Sequence, residues 1–567
     1  MTVKLLLTNL PSNKDSIFFT SYYPMLFPLS LNTLKGYLVN KMKEQVKVEI
    51  FNFHNEQKLE QLKDLIKSQE FDFIGISACL DQMESLEYLL NILFRFNKLK
   101  NTFKVIVGNN IVKYKKEYLL RKYPSLFLVE NEGESALLNL IINNTPILKK
   151  IPNLSYKLNG SVINNKISRF NIDDCQVPSI DYLKETINFG GKVYLETSRG
   201  CSWGKCTFCL KNNINRGWRS KKLDLIVNIL NLYKNNGVKK IIVTDEDFIG
   251  TNFQRITELA NIIIKNKYQF DFRISVKVRD IYSNNNPSIN LKSFKALKLL
   301  KKARVSTIYL GIESGCDSQL IRYNKGVTSY ENLKAIEKIL KLGFVIKCGF
   351  IMFDPFLSLN ELIANLHFIN NTTIGYCFDV GNKMLLTDEN DIFLKKIKDH
   401  NLYRGIIGNN VYHQWNFLDS TVEEIYSHLN KWQNSRKIYS EYFTLNDLTK
   451  NRIKDFKIHR FFLEFIKDTS NIFDRAFLIF TLFSKYKIFD KELMQDITTE
   501  TIESVYKQIQ LSDKTTFSEI IKILINSKYY VLIKKTEELM KSKKIDLDFY
   551  KLVICQEMTY LKNIEFN

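Results

Sequence analysis

The sequence lacks any hydrophobic run long enough to cross a bilayer. The longest apolar stretch of its 567 residues, 476–483, is bounded by Arg475 and Lys485, and a transmembrane helix needs roughly 20 apolar residues. The amino terminus, MTVKLLLTNL, has no small-residue cleavage site and is predicted to be a strand rather than a secretion signal. We therefore expect a cytoplasmic protein that has no membrane partner.

Disulfides and histidine metal sites are also not indicated. Six of the nine cysteines are scattered singly along the chain, which argues against a disulfide framework in a reducing compartment. The six histidines show no metal-ligand spacing. His413 could reach an active site from the carboxy-terminal region, but a surface or packing role is the more common one.

The charge is unbalanced. Lys and Arg number 82 against 60 Asp and Glu, a net charge of +22, which can attract nucleic acid or another acidic partner. The lysines are spread along the whole chain, however, and no basic tail or nucleic-acid motif is present. Composition bias therefore explains the charge better than a nucleic-acid partner does.

Residues 1–145 alternate between apolar runs and amphipathic stretches, the βαβ rhythm of a doubly wound, Rossmann-like parallel sheet. The predicted strands are 3–10, 46–53, 71–77, 103–109 and 126–131. Such sheets bind ligands at the carboxyl ends of their strands. Residues 146–190, with Pro152 and Pro178 and little periodicity, are predicted to be a linker.

A second βα series occupies residues 191–395. Its predicted strands are 192–198, 239–245, 270–278, 306–314 and 345–353, with a sixth near 376–385. This number of repeats predicts a full or partial (β/α) barrel with its chemistry at the strand carboxyl ends. Helical patterns dominate residues 396–567, so the fold class is α/β with a carboxy-terminal α-helical domain.

Three cysteines lie close together after the first predicted barrel strand. Cys201, Cys206 and Cys209 place three soft thiolates on one loop, which suits zinc or an iron–sulfur cluster. A structural zinc site normally needs a fourth ligand nearby, and no Cys or His follows closely. Three thiolates on a [4Fe–4S] cluster leave one iron open, which is useful for catalysis.

Here the sequence resembles the radical S-adenosylmethionine (SAM) superfamily. Arg199-Gly200-Cys201 and Cys206-Thr207-Phe208-Cys209 look like that family's cluster loop. The resemblance implies that these three cysteines are the cluster ligands and that Phe208 lies beside the adenine of SAM. Four residues separate the first two cysteines here, where the family most often has three.

Further matches follow at later strand ends. Gly311-Ile312-Glu313-Ser314-Gly315 with Lys325-Gly326 resembles a signature of the cobalamin-linked class. By resemblance, the positions expected to contact SAM are Asp245, Glu246, Ser275, Arg279, Glu313, Ser314 and Ile351. The acidic residues of this set that follow the second strand could instead form a helix N-cap.

The first domain resembles a cobalamin-binding module. It carries the class's strand-end motifs in order, with Asn109 and Asn131 at positions where glycine is usual. The resemblance implies that cobalamin is held by Ser77, Gly108, Gly133 and Glu134. A cobalamin-coordinating Asp-x-His-x-x-Gly motif is absent from the sequence, although this class often binds cobalamin without one.

Together these features predict an enzyme that cleaves SAM reductively to a 5′-deoxyadenosyl radical. The resemblance implies a cobalamin-dependent C-methyltransferase that acts on an unactivated carbon of a peptide or small-molecule natural product, with an external electron donor such as flavodoxin or ferredoxin. The alternative is a cobalamin-free radical SAM epimerase, cyclase or rearrangement enzyme, in which Cys316, Cys348 or Cys377 could return hydrogen to a substrate radical. A nucleic-acid-binding iron–sulfur protein is the non-enzymatic alternative, and salt-dependent binding would reveal it.

Overall fold

The protein is described from a computed structural model. It covers residues 2–433 except 11–25, 54–57, 101–102, 143–146, 190, 210–216, 373–376, 379, 389, 407–410 and 432, together with residues 474, 478 and 482. Within this part of the chain, no helix is both long and apolar enough to span a bilayer.

The first sheet has seven strands in the order β2-β1-β3-β4-β5-β6-β7. They are β1 Val3–Asn9, β2 Val46–Phe51, β3 Phe73–Ser77, β4 Lys104–Gly108, β5 Phe127–Val129, β6 Leu154–Leu158 and β7 Ser161–Asn164. Strands β1 to β5 pair in parallel. This confirms the predicted doubly wound sheet, whose strand carboxyl ends all lie at one edge.

Alternation along β1 shows why helices cover both faces of this sheet. Leu5 and Leu7 are buried in one hydrophobic cluster and Leu6 in another, as expected when successive side chains point to opposite faces. The helices are α1 Leu29–Met42, α2 Lys58–Ser68, α3 Met83–Lys100, α4 Asn110–Lys122 and α5 Glu134–Ile141.

The predicted linker is wrong in part, because β6 and β7 lie within it. They form an antiparallel hairpin that extends the first sheet beyond β5. Asn159 and Gly160 join the two strands with φ values of 48° and 84°, and positive φ at both central residues is what a type I′ turn requires. The first folded unit therefore reaches residue 164 rather than 145.

The second sheet is parallel throughout, in the order β14-β13-β12-β11-β8. Its strands are β8 Val193–Leu195, β11 Lys240–Val243, β12 Asp271–Lys277, β13 Val305–Glu313 and β14 Val345–Phe350. A separate antiparallel pair, β9 Ser198–Arg199 and β10 Arg219–Ser220, lies between β8 and β11 in the chain. Beyond β14, a parallel bridge joins Phe353 to Lys383 near the sixth predicted strand. The sheet is therefore a partial (β/α) barrel, as predicted.

Helices pack against the outer face of this sheet. They are α6 Leu183–Asn188, α7 Leu223–Asn235, α8 Phe253–Lys265, α9 Pro287–Lys302, α10 Asp317–Arg322, α11 Ser329–Lys341 and α12 Leu359–Asn370. Buried and half-buried positions alternate along β12 and β13. The outward positions, such as Ile274 and Leu310, are fully buried, whereas the inward positions Ser275 and Tyr309 remain partly exposed. The barrel lumen is therefore accessible.

After the barrel the chain is less uniformly helical than predicted. Helix α13 Asp391–Asp399 is followed by an antiparallel pair, β15 Tyr403–Ile406 and β16 His413–Trp415. Residues 420–431 are helical, in agreement with the helix predicted from residue 422. The other predicted helices, 455–467 and 473–485, lie outside the described residues apart from three positions.

Candidate active site

The cysteine loop follows β8 at the carboxyl end of the barrel. Burial raises the pKa of Cys206 to about 12, with Lys325 opposing the shift and Cys209 and Cys201 adding to it, so the three thiols and this lysine lie within electrostatic reach of one another. In the described part of the chain, no group of three or more His, Cys, Asp or Glu side chains is arranged to hold a single metal ion. A [4Fe–4S] cluster bonds each thiolate at a different iron, so the donor set still fits such a cluster.

Trp203, which lies between the first two cysteines, anchors the loop. Trp203 donates from Nε1 to the Asn324 carbonyl at 2.9 Å, and the Arg279 guanidinium stacks 3.7 Å from the centre of its ring. On the other side of the loop, Thr207 donates from its backbone N–H to the Tyr323 carbonyl at 3.0 Å. The turn that carries Lys325 therefore holds the loop in place.

An ion-pair network fixes the residue after Cys201. The Asp247 carboxylate accepts from the backbone N–H of Ser202 at 3.0 Å and from its hydroxyl at 2.8 Å. Lys277 donates to the Ser202 hydroxyl at 2.7 Å, is hydrogen-bonded to Asp247, and lies 2.9 Å from Asp280. Lys277 and Asp280 are local partners, three positions apart, whereas Asp247 reaches Lys277 only because β11 pairs with β12.

A second buried ion pair lies on the other side of the loop. Lys325 contacts Glu313 at 3.1 Å, and its ammonium is 5.6 Å from the centre of the Phe208 ring. Glu313 adopts φ of 67°, a conformation that costs energy for a residue with a side chain. A Cβ at Gly311 would lie only 2.8 Å from a Glu313 carboxylate oxygen, so the ion pair requires glycine there.

Two residues predicted to contact SAM have side chains that hydrogen-bond to the scaffold. Asp245 is 2% exposed, and its carboxylate accepts from Thr197 and Ser198 at 2.5–2.7 Å. Ser314 is fully buried and hydrogen-bonds to Gln319 and Asn365. Both side chains are buried, and the SAM contacts of these two positions remain predictions.

The other predicted SAM positions remain partly exposed around the lumen. Glu246 accepts from the Gly200 backbone N–H at 3.2 Å, which ties it to the cysteine loop. Ile351 donates its backbone N–H to the Glu313 carbonyl at 2.8 Å. The partly exposed positions are Phe208, Glu246, Ser275, Arg279, Glu313 and Ile351.

A cavity of about 680 Å³ separates the first sheet from the barrel. One wall comes from the strand carboxyl ends of the first sheet and contains all four positions predicted to hold cobalamin. The other wall comes from the barrel. The first wall includes Asn9, Ser77, Gly108, Asn109, Asn131, Gly133 and Glu134, and the second includes Tyr194, Glu196, Arg199, Thr244 and Glu246.

The two asparagines that replace glycines keep the backbone shape of the cavity wall. Asn131 has φ of 63°, and asparagine tolerates positive φ better than other residues with side chains. Asn109 has φ of 78° and ψ of −172°, a conformation that is almost confined to glycine, so its backbone is strained. Asn109 also caps α4, because its side chain accepts from the backbone N–H of Asn110 at 2.7 Å. The replacements therefore leave the cavity open.

Arg199 joins the two halves of the cavity. Its guanidinium contacts Glu132 at 2.9 Å and Glu134 at 2.7 Å on the first domain, and Glu196 at 2.9 Å on the barrel. Burial alone would raise the pKa of Glu196, but Lys221 and Arg199 outweigh it and lower this pKa to about 2. We call Arg199 and its three glutamates the interdomain ion cluster.

His413 is a packing residue of the β15–β16 pair. It is 8% exposed, and its ring nitrogens lie 2.9 Å from Asp388 and 3.1 Å from the Tyr403 hydroxyl. The cysteines considered as hydrogen donors differ in placement. Cys348 and Cys377 pack against the barrel core, whereas Cys316 precedes α10 and contacts the Ser318 hydroxyl at 3.3 Å.

Residues 195–369 match the sequence model of the Radical SAM superfamily. The match begins at the end of β8 and continues through the end of α12, so it contains the cysteine loop and the Glu313–Lys325 pair. Residues 195–369 therefore form a radical SAM region, and the cofactors of that family are a [4Fe–4S] cluster and SAM.

Sequence similarity to individual proteins extends beyond the barrel. The chain is 32% identical over 363 residues to the 4′-phospho-dehydrooxetanocin synthase of Priestia megaterium, covering 61% of this chain but only about half, 48%, of that protein. It is 26% identical over 355 residues to an uncharacterized methyltransferase of Pyrococcus horikoshii, covering 60% of this chain and 73% of that one.

Two solved structures share the fold. The radical enzyme OxsB with aqua-cobalamin and SAM bound superposes with a TM-score of 0.80 at 22% identity, over 100% of this chain and 85% of OxsB. The methyltransferase TsrM of Kitasatospora setae, with cobalamin and a [4Fe–4S] cluster bound, gives a TM-score of 0.54 at 14% identity, over 65% and 72% of the two chains. At these identities the likeness concerns the fold.

Proposed function

We propose that this protein is a cobalamin-dependent radical SAM enzyme that modifies an unactivated carbon of its substrate, with methyl transfer as the outcome. The observation that carries the proposal is the cavity between the first sheet and the barrel. It opens at the strand ends where doubly wound sheets bind ligands, and it adjoins the cysteine loop through Arg199 and Glu246. Both OxsB and TsrM were solved with cobalamin bound.

Cys201, Cys206 and Cys209 would hold the cluster, which when bound supplies one electron to SAM. The chain's own residues position this loop. Asp247 and Lys277 fix Ser202, and the turn at 322–326 holds Trp203 and Thr207. A rigid loop would hold the cluster at the carboxyl end of the barrel, next to a substrate bound in the lumen.

Ser77, Gly108, Gly133 and Glu134 would line the cobalamin site, and cobalamin would supply a methyl carrier there. Gly108 offers a sharp test of this assignment. Its φ lies outside the left-handed region, and a Cβ would meet its nearest atom at 3.7 Å, so Gly108→Leu should fold while it fills part of the cavity. We expect hydroxocobalamin to bind the wild type and to bind this variant at least tenfold more weakly.

Lys104→Leu is the matched control, because it places the same side chain at the exposed start of the same strand. Equal hydroxocobalamin binding by wild type and Gly108→Leu, measured by absorbance after gel filtration, would contradict the site. So would equal loss of binding in Lys104→Leu.

The outcome of the reaction needs a separate measurement. The name of the Priestia megaterium relative describes a synthase rather than a methyltransferase, so rearrangement of the substrate skeleton is the second candidate. Turnover with SAM that carries a trideuterated methyl group distinguishes the two. Methyl transfer places deuterium in the product, whereas rearrangement leaves the product unlabelled and would overturn the methyltransferase proposal.

A further inference from the structure

Hydrogen-bond donors collect on one wall of the barrel lumen. The alternation of β12, β13 and β14 turns Arg273, Ser275, Tyr309 and Lys347 inward, where all four are partly exposed. The sheet register pairs Ser275 with Tyr309 and Tyr309 with Lys347. These three therefore form a row at one level of the barrel, with neighbouring strands about 4.8 Å apart.

Arg273 lies beside this row and lacks the partner that a lumen cation normally has. Its guanidinium stacks on Tyr309, with 5.6 Å from Cζ to the ring centre. Among the described residues, neither the Arg273 guanidinium nor the Tyr309 hydroxyl forms a hydrogen bond or an ion pair. Burial raises the pKa of Tyr309 to about 12, so its hydroxyl keeps its proton and can donate.

The carboxylates near the lumen already have cationic partners. Glu196, which follows β8, pairs with Arg199 and Lys221, and Glu313, at the end of β13, pairs with Lys325. An anionic group on the β12–β14 wall would therefore find Arg273 as its cation.

We propose that the substrate carries a phosphate group that binds in the lumen at Arg273 and Tyr309. This inference rests on the proposed function and names its substrate class, a phosphate monoester. The planar Arg273 fork can donate two parallel hydrogen bonds to phosphate oxygens, and the Tyr309 hydroxyl can supply a third donor. A phosphate offers three terminal oxygens for this set, whereas a carboxylate offers two.

The depth of the site leaves room for the reacting part of the substrate. Arg273 precedes Lys277 by four positions on β12, which is about 13 Å at roughly 3.3 Å per residue. Lys277 contacts Ser202 of the cysteine loop. The phosphate would therefore anchor one end of the substrate low in the barrel while the other end extends toward the loop and the cavity.

The test is calorimetric binding of phenyl phosphate and of benzoate to the reconstituted full-length protein at low salt. Phenyl phosphate should bind the wild type and benzoate should bind at least tenfold more weakly. Losing a charge-assisted pair costs about 1.5–3 kcal/mol, so Arg273→Gln should weaken phenyl phosphate binding roughly 10- to 100-fold. Tyr309→Phe, which keeps the ring and removes only the hydroxyl, should weaken it about threefold to tenfold.

Arg121→Gln is the matched control, because Arg121 is exposed in the last turn of α4 in the first domain. This variant should leave phenyl phosphate binding unchanged. Wild-type affinity in both Arg273→Gln and Tyr309→Phe would overturn the proposal, as would benzoate binding as tightly as phenyl phosphate.

A titration with saturating SAM tests whether Arg273 binds the SAM carboxylate rather than a substrate phosphate. If SAM displaces phenyl phosphate, Arg273 serves the SAM carboxylate and the proposal is wrong, whereas undiminished binding supports it. Because this assay needs no turnover, it separates the two proposals. Phosphate binding in a protein that cannot cleave SAM would contradict the proposed function alone.

Discussion

Replacing Arg199 with Gln should uncouple the first domain from the barrel. The change leaves Glu134, which is 5% exposed, without its cation, while Glu132 keeps Arg219 and Glu196 keeps Lys221. Breaking a buried ion pair by removing one partner costs about 3–5 kcal/mol, because the remaining charge is not compensated. We expect a loss of free energy of unfolding in that range at neutral pH.

The assay is urea unfolding of the reconstituted protein, followed by circular dichroism. Lys222→Gln is the control, because its pair with Asp173 spans 3.9 Å between side chains that are 67% and 52% exposed, and such pairs contribute less than about 1 kcal/mol. Arg199→Gln with Glu134→Gln should recover part of the loss, since the second change removes the unpaired charge. A loss in Arg199→Gln no larger than in Lys222→Gln would refute the reasoning.

Two other predictions concern the scaffold of the cysteine loop. Burial raises the pKa of Asp245 to about 6, above the unfolded value of about 4, so between these values the folded state binds more protons than the unfolded state. The free energy of unfolding of the wild type should therefore fall relative to that of Asp245→Asn as the pH rises from about 4 through 6. An equal pH dependence of the two proteins across this interval would contradict the prediction. Gly326→Ala should lower the amount of iron retained per chain after reconstitution, because the new Cβ would lie 2.5 Å from the Trp203 ring. Gly237→Ala is the control, since Gly237 has a similar φ of 76° and open space around it, and it should retain as much iron as the wild type. Equal iron in both variants would show that the turn does not hold the loop.

Periodicity predicted the two βα series because burial on a parallel sheet leaves its mark on every strand. The hairpin at 154–164 was missed, although Asn159-Gly160 is a strong local signal for such a turn. Its strands, LSYKL and SVIN, are short and half polar, so their hydrophobic pattern is weak. The β15–β16 pair was missed for the same reason, as its strands have four and three residues.

The sequence likewise predicted only part of the candidate site. Three cysteines on one loop are visible in the sequence because they are local. The interdomain ion cluster is not visible, because Arg199 and Glu132 are 67 positions apart and meet only after both sheets have formed. Asp245 and Asp247 show the limit most clearly. They differ by two positions, yet Asp245 is bonded to Thr197 and Ser198 after β8, and Asp247 is bonded to Ser202 of the cysteine loop.

Reductive cleavage of SAM tests the central claim most directly. The protein is reconstituted anaerobically with iron and sulfide, reduced with dithionite and incubated with SAM, and 5′-deoxyadenosine is quantified. The wild type should form 5′-deoxyadenosine, and Cys201→Ala, Cys206→Ala and Cys209→Ala should each form none. Cys175→Ala, which changes a buried cysteine packed against the first sheet, should still form it. Cleavage that persists in any one of the three loop variants would contradict the assignment of the cluster to these cysteines.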